Sequence, residues 1–145
     1  MSLLPTTATA LFFDEIRLEA NNKQSFMGHY GGHLYLLDPQ QQPLDRLAVF
    51  ITAKWDLDAV PETATVVMTI SDQESMEFQV SIDTKPTLTT PRSPFAGMII
   101  RLPLNMRLVP LKPDDKIEVW IVVGEERMPA GRLLVHAQQS PASTP

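Results

Sequence analysis

Apolar side chains fall on every second residue in three long stretches, and this period of two limits the fold more tightly than any other feature. Met76, Phe78, Val80 and Ile82 share one face of the first stretch, opposite Glu77, Gln79, Ser81 and Asp83. Met98, Ile100, Leu102, Leu104, Met106 and Leu108 form the second row, opposite Arg101, Asn105 and Arg107. Ile117, Val119, Ile121 and Val123 alternate with Lys116, Glu118 and Trp120 in the third. Successive side chains of a strand point to opposite faces, so a slip of one residue would turn a whole apolar row into water. The rows therefore specify strands and their register.

Weaker rows fill the rest. Leu47, Val49, Ile51 and Ala53 alternate with Ala48, Phe50, Thr52 and Lys54, and Val66, Met68 and Ile70 alternate with Thr65, Val67 and Thr69. Near the start, Leu11 and Phe13 share one phase and Ile16 and Leu18 the other. The switch falls at Asp14-Glu15, which predicts a bulge or a crossing between sheets there. Ser25–His29, Leu34–Leu37 and Arg132–His136 are further short strands. Turn chemistry separates them: Asn21-Asn22-Lys23, Asp38-Pro39, Ser71-Asp72, and Lys112-Pro113-Asp114-Asp115, where Pro suits a type I turn. No stretch carries a helical period. Strands at this spacing predict an antiparallel β-sandwich, immunoglobulin-like or C2-like, of roughly seven to nine strands, with a closed barrel as the alternative. The expected core is Phe13, Val49, Ile51, Val66, Met68, Phe78, Val80, Ile100, Leu102, Val119 and Ile121. Pro103 cannot donate a ladder hydrogen bond, so its strand is expected at an edge or bulged.

With 145 residues the chain has length for one self-sufficient core, expected over residues 1–136. The tail from Ala137 to Pro145, rich in Gln, Ser, Pro and Ala, is expected to be disordered. Nothing near its start has the basic and apolar pattern of a targeting segment, and no apolar run approaches the ~20 residues of a membrane helix. A cytoplasmic or virion location is the expectation, without membrane contact. The absence of Cys excludes disulfides, thiolate metal sites and a cysteine nucleophile. A formal charge of −5 argues against a nucleic-acid partner, and Arg92, Arg101, Arg107 and Lys112 lack interleaved aromatics.

Motifs for catalysis are missing. There is no nucleophile elbow, phosphate loop or dinucleotide fingerprint. Asp14 and Glu15 are adjacent, so on an unbulged strand they face opposite ways and make a poor acid–base pair. Asp56, Asp58 and Glu62, and separately Asp114 and Asp115, lie in loops without a calcium-binding pattern, and are read as solvated. His29-Tyr30-Gly31-Gly32-His33 resembles a metal pair, but two glycines between strands argue for a turn carrying surface histidines. No cofactor and no tightly bound metal are therefore expected. Trp120 is expected in the core, whereas Trp55, beside a polar loop, is either a core or a contact residue.

One resemblance is carried by the first third of the chain. Phe12-Phe13-Asp14-Glu15-Ile16-Arg17-x-Glu19, followed by Lys23-Gln24-Ser25-Phe26-Met27-Gly28-x-Tyr30, resembles the opening of a small uncharacterised family of bacterial and phage-borne proteins. The likeness extends to Leu44–Phe50 and fades afterwards. Glu15 stands where the family repeats Asp, and His29 where an aliphatic residue is usual. The resemblance implies a β-sandwich and a bacterial or phage setting; it supplies no activity and no catalytic residue.

Two functions follow as expectations. The first is a non-enzymatic interaction or structural module, in a phage or prophage virion or as an accessory protein, binding a protein partner or further copies of itself. The alternative is a small-ligand or metal-binding domain using the His29–His33 turn. For the first, the stretch from Thr84 to Gly97 is the expected arm, with Pro86, Pro91 and Pro94 favouring extended backbone and Leu88, Arg92 and Phe95 as anchors. His29, Tyr30 and Trp55 complete the expected partner-binding set.

Overall fold

A computed structural model describes residues 2–36, 44–71, 73–83 and 97–137, the side chains of 73–80, 82, 83 and 98 excepted. Nine strands run in chain order: β1 (Thr7–Leu18), β2 (Gln24–Tyr30), β3 (His33–Leu36), β4 (Leu44–Asp56), β5 (Thr63–Ile70), β6 (Gln73–Asp83), β7 (Gly97–Val109), β8 (Lys116–Val123) and β9 (Glu126–Ala137). They form a four-stranded sheet in the order β2-β1-β4-β7 and a five-stranded sheet in the order β3-β9-β8-β5-β6. All pairs are antiparallel except β3 with β9, which run parallel. The only helical turns among the described residues are single 3-10 turns at Ala20–Asn22 and Leu57–Ala59. The expected sandwich is present, with one parallel pair that periodicity cannot reveal.

The main core lies between the sheets. Val49, Ile51, Val66, Met68, Val119 and Ile121 are buried there as the alternation requires, joined by Leu34, Leu47, Ile117, Leu133 and Val135. Ile100 and Leu102 pack against it, half-buried. Phe12 rather than Phe13 faces this core; Phe13 is buried in a second cluster with Ile16 and Ala48. The side chains of Phe78 and Val80 lie outside the described residues. β7 is an edge strand, which accommodates Pro103. Trp55 takes the core position that was one of its two expected roles, whereas Trp120 does not take the core position expected of it. Trp55 is 1% exposed and its indole N–H donates to the Leu3 carbonyl at 2.8 Å. Trp120 is half-buried on the outside of the five-stranded sheet, with the Arg127 guanidinium 4.6 Å above its ring.

The turns follow their chemistry. Asn21 and Asn22 take left-handed angles of 61° and 58° between β1 and β2. At the β7–β8 connection the Asp115 N–H closes a turn onto the Lys112 carbonyl, and Asp114 has φ of 72°. A positive φ at that third position makes the turn type II rather than the expected type I. Asp115 itself is 5% exposed, contrary to a solvated loop. Its carboxylate accepts from the Ser71 hydroxyl at 2.7 Å and from the Lys112 N–H at 2.9 Å, and its carbonyl accepts from the Val135 N–H at 2.9 Å. The side chain thus ties the end of β5 to the β7–β8 turn, and the backbone carbonyl of the same residue holds β9. Removing the carboxylate leaves the Ser71 hydroxyl and the Lys112 N–H, in part-buried bonds, without their acceptor. Asp115→Ala is expected to lower unfolding free energy by about 2–3 kcal/mol in urea denaturation, with Asp115→Asn losing less.

The sheets pinch together where β1 meets β9. A Cβ added at Gly131 would stand 2.7 Å from the Ala10 carbonyl oxygen and 2.9 Å from the Ala10 Cβ. The register of β8 with β9 shifts beside this point, between Val119 and Trp120. Gly131→Val must therefore push two backbones apart and is expected to cost about 1–3 kcal/mol. Gly31→Ala, where an added Cβ meets nothing within 4 Å, is the control, expected within about 0.5 kcal/mol of the parent in the same urea titration.

Candidate functional site

The outer face of the four-stranded sheet carries what a single-sided strand pattern would forbid, an aromatic cluster. Its origin is a change of phase in both β1 and β2. Phe13 and Ile16, three apart, lie in the same outer cluster, as the switch at Asp14-Glu15 predicts. On β2 the counterpart is Gly28, whose φ of 69° suits glycine and which sits under the Asp14 side chain; an added Cβ would collide with that carboxylate. Phe26 and His29, on either side of Gly28, both reach Phe13, with ring centroids 4.9 and 5.1 Å away. Phe26 also meets Phe50 of β4 edge-on at 4.9 Å. Ala48 lies beneath, 0% exposed.

Asn105 of β7 fixes this arrangement. β1 pairs with β4 only as far as Phe13, opposite Ala48, and Asn105 is the β7 partner of that same Ala48. The Asn105 side-chain amide accepts from the Ile16 N–H at 3.0 Å and donates to the Ile16 carbonyl at 3.0 Å. A side chain thereby replaces the strand neighbour that Ile16 lacks on that side.

The cluster is open to solvent. Phe26 is 41% and Leu11 45% exposed, and Leu11 lies opposite Phe50 on the same face. In the outward phase of Ala48 and Phe50 stand Arg46 and Lys54 of β4, with Arg101 and Arg107 of β7 opposite Thr52 and Arg46. Glu15 bonds Arg17 at 3.1 Å and Arg46 at 3.2 Å, and Asp45 lies 3.7 Å from Arg46. Arg107 lies directly opposite Arg46 in the β4–β7 register, a like-charge pair. Neither Arg101 nor Arg107 has an acidic partner among the described residues. A basic rim therefore surrounds an aromatic centre on a chain of net charge −5.

The expected site residues separate. His29 is exposed within the aromatic face, and Tyr30 is half-buried against the main core with its hydroxyl donating to Asp14. Trp55 is buried, which removes it from any contact surface. Leu88, Arg92 and Phe95, with the rest of the expected arm up to Ala96, lie outside the described residues, as does the tail beyond Ala137. Asp14 and Glu15 part, one to Tyr30 and the other to two arginines. His29 and His33 do not form a pair, because Gly31-Gly32 carries the chain from the edge of one sheet to the edge of the other. His33 instead meets His136. Asp56, Asp58 and Glu62 are exposed around the turn after β4. Among the described residues no group of three or more His, Asp or Glu side chains could hold a metal ion, and no helix is long and apolar enough to cross a membrane.

Phe26, Phe50 and Asn105 were not legible as site residues. Phe50 sits in an ordinary alternating row, and only the pairing of β4 with a phase-switched β1 shows that its off-core face is apolar. Compared with protein-family models, curated proteins and solved structures, the chain matches none.

Tyr30 offers a spectroscopic handle on the phase switch. Burial pushes its phenol well above its ordinary value of 10.0, and the hydrogen bond to Asp14 and that carboxylate's charge act in the same direction. Above pH 10 the unfolded chain loses a proton that the folded chain keeps, so this contribution to stability is complete below that pH and declines as pH rises further. Wild-type protein should lose stability above pH 10 more steeply than Tyr30→Phe in parallel denaturant titrations. Parallel curves would show that folding does not raise the Tyr30 phenol above its ordinary value.

Proposed function

We propose that the chain is a non-enzymatic protein-interaction module that docks an acidic partner on the outer face of its four-stranded sheet. The supporting observation is an apolar centre in which Leu11 and Phe26 are exposed beside half-buried Phe50 and buried Phe13, together with Arg101 and Arg107, which have no acidic partner among the described residues. Aromatic side chains and Arg are the residue types that anchor interfaces, and contiguous exposed apolar surface on a sheet face is uncommon without a use. Charge selects the occupant. A second copy docking through the same face would bring Arg101 and Arg107 against their own kind, at a cost in repulsion. A different protein whose apolar contact surface is bordered by Asp and Glu supplies instead the carboxylates that Arg101 and Arg107 do not find among the described residues. In the family that the opening residues resemble, such a module would serve a phage or prophage assembly or an accessory role beside it.

The test is to identify the partner from cells expressing the chain, then reconstitute the complex from purified proteins. Phe26→Ala is expected to weaken that complex by about 30-fold or more, the scale of an interface anchor. Arg101→Gln with Arg107→Gln should slow association and flatten its salt dependence. Arg127→Gln, on the other sheet, should leave both unchanged. A complex indifferent to Phe26 and to both arginines, or one formed only between copies of this chain, overturns the proposal.

A further inference from the structure

We propose that His33 and His136 form a two-imidazole site for a divalent transition-metal ion, with Cu2+ the preferred occupant. The site is independent of the interaction surface, since it lies on the outer face of the five-stranded sheet. β3 buries Leu34 and Leu36 and exposes His33 and Tyr35; β9 buries Leu133 and Val135 and turns His136 outward. The parallel register sets His33 opposite Leu134 and Tyr35 opposite His136, so the two histidines are diagonal neighbours on one face. His33 Nδ1 and His136 Nε2 are 2.9 Å apart. The Tyr35 ring stacks on His136 with centroids 5.0 Å apart and planes at 27°, which restricts the imidazole. Both donors therefore stand on paired strands, and little order remains to be imposed when an ion binds.

The separation chooses the ion. Two nitrogens bound at about 2.0–2.1 Å lie about 2.9 Å apart when the angle at the metal is a right angle, and about 3.3 Å apart when it is tetrahedral. The observed 2.9 Å is set by the hydrogen bond between the rings, and it needs the least change of separation to become the right-angle spacing of a square-planar or tetragonal site, the preference of Cu(II) and Ni(II). Among divalent ions Cu2+ binds imidazole most strongly. Without metal, one ring must donate its N–H to the other. On binding, that proton moves to the other nitrogen of its own ring, so both lone pairs face the ion. Water completes the coordination.

Untagged full-length protein titrated with CuCl2 in a non-coordinating buffer tests the assignment. One equivalent should bind, with electron paramagnetic resonance showing two nitrogen donors and the thermal midpoint rising with Cu2+. His33→Gln or His136→Gln should weaken binding by about tenfold or more and leave at most one of these two nitrogens, whereas His29→Gln should change neither. Circular dichroism confirms that each variant is folded, and Glu118→Gln on the same sheet controls for surface binding. Absent binding, or binding and nitrogen coupling unchanged in the doubly substituted His33→Gln, His136→Gln protein, overturns the site.

Discussion

The rest of the four-stranded sheet depends on one coupled distortion, the phase change that β1 and β2 make together at Asp14-Glu15 and Gly28. Positive φ at Gly28 lets β2 turn Phe26 and His29 to the same side, and the Asp14 carboxylate occupies the space that any side chain at residue 28 would need. Without the switch, Ile16 would follow the alternation of Phe12 toward the interior, and Phe13 would lose its neighbours. With it, Phe12 closes the main core while Phe13 and Ile16 cover Ala48 from outside. Ala48 suits that position because a larger side chain in the middle strand would lift β1 away from β4. The Asn105 amide then supplies both hydrogen bonds that the Ile16 backbone would otherwise miss. An unpaired buried N–H or C=O costs enough that this one side chain has structural weight.

Closure of the sandwich rests on small residues in two places. Gly131 admits the Ala10 backbone to near contact, which draws β1 onto β9. Gly31-Gly32, with φ of 90° at Gly32, carries the chain from β2 at one sheet edge to β3 at the other. After that short connection β3 pairs with β9 at the sheet edge, and the pair is parallel. The same step accounts for the divergence of the two histidines nearest the corner. His29 ends on the outer face of one sheet and His33 on the outer face of the other.

Much of the fold was legible in the sequence because burial on one side of a strand writes itself as alternation. Val49, Ile51, Val66, Met68, Val119 and Ile121 occupy the interior for that reason, and Pro103 at an edge follows from its missing N–H. The candidate surface was legible only in part. The phase switch at Asp14-Glu15 is visible as a break in period, but which phenylalanine then faces the main core is decided by pairing across strands. Phase decides both tryptophans: Trp55 shares the inward phase of Ile51 and Ala53, which resolves the two roles that its place beside a polar loop leaves open, while Trp120 has the outward phase of Glu118, contrary to the core position expected of it. Asp115 shows the other limit. A carboxylate in a Pro-Asp-Asp turn has the composition of a solvated loop, and only the return of Ser71 from 44 residues earlier shows that it is buried and satisfied.

The pairing of His33 with His136 across 103 residues illustrates why sequence spacing misleads in sandwiches. On a helix, side chains four apart meet, and the reading of His29 with His33 borrows that geometry. In a two-sheet fold, chain neighbours at a corner separate to different faces, while side chains meet along strands brought together by topology. The consequence is a molecule with two chemically distinct exteriors. One is aromatic and rimmed by arginine, built on a distorted strand pair; the other carries imidazoles on regular, paired strands. They share the corner from Tyr30 to Gly32, where Tyr30 packs into the core and bonds Asp14. A partner covering Phe26 and Phe50 leaves His33 and His136 open, and an ion held by those two leaves the arginines free. The buried core between the sheets is what allows one small domain to carry both.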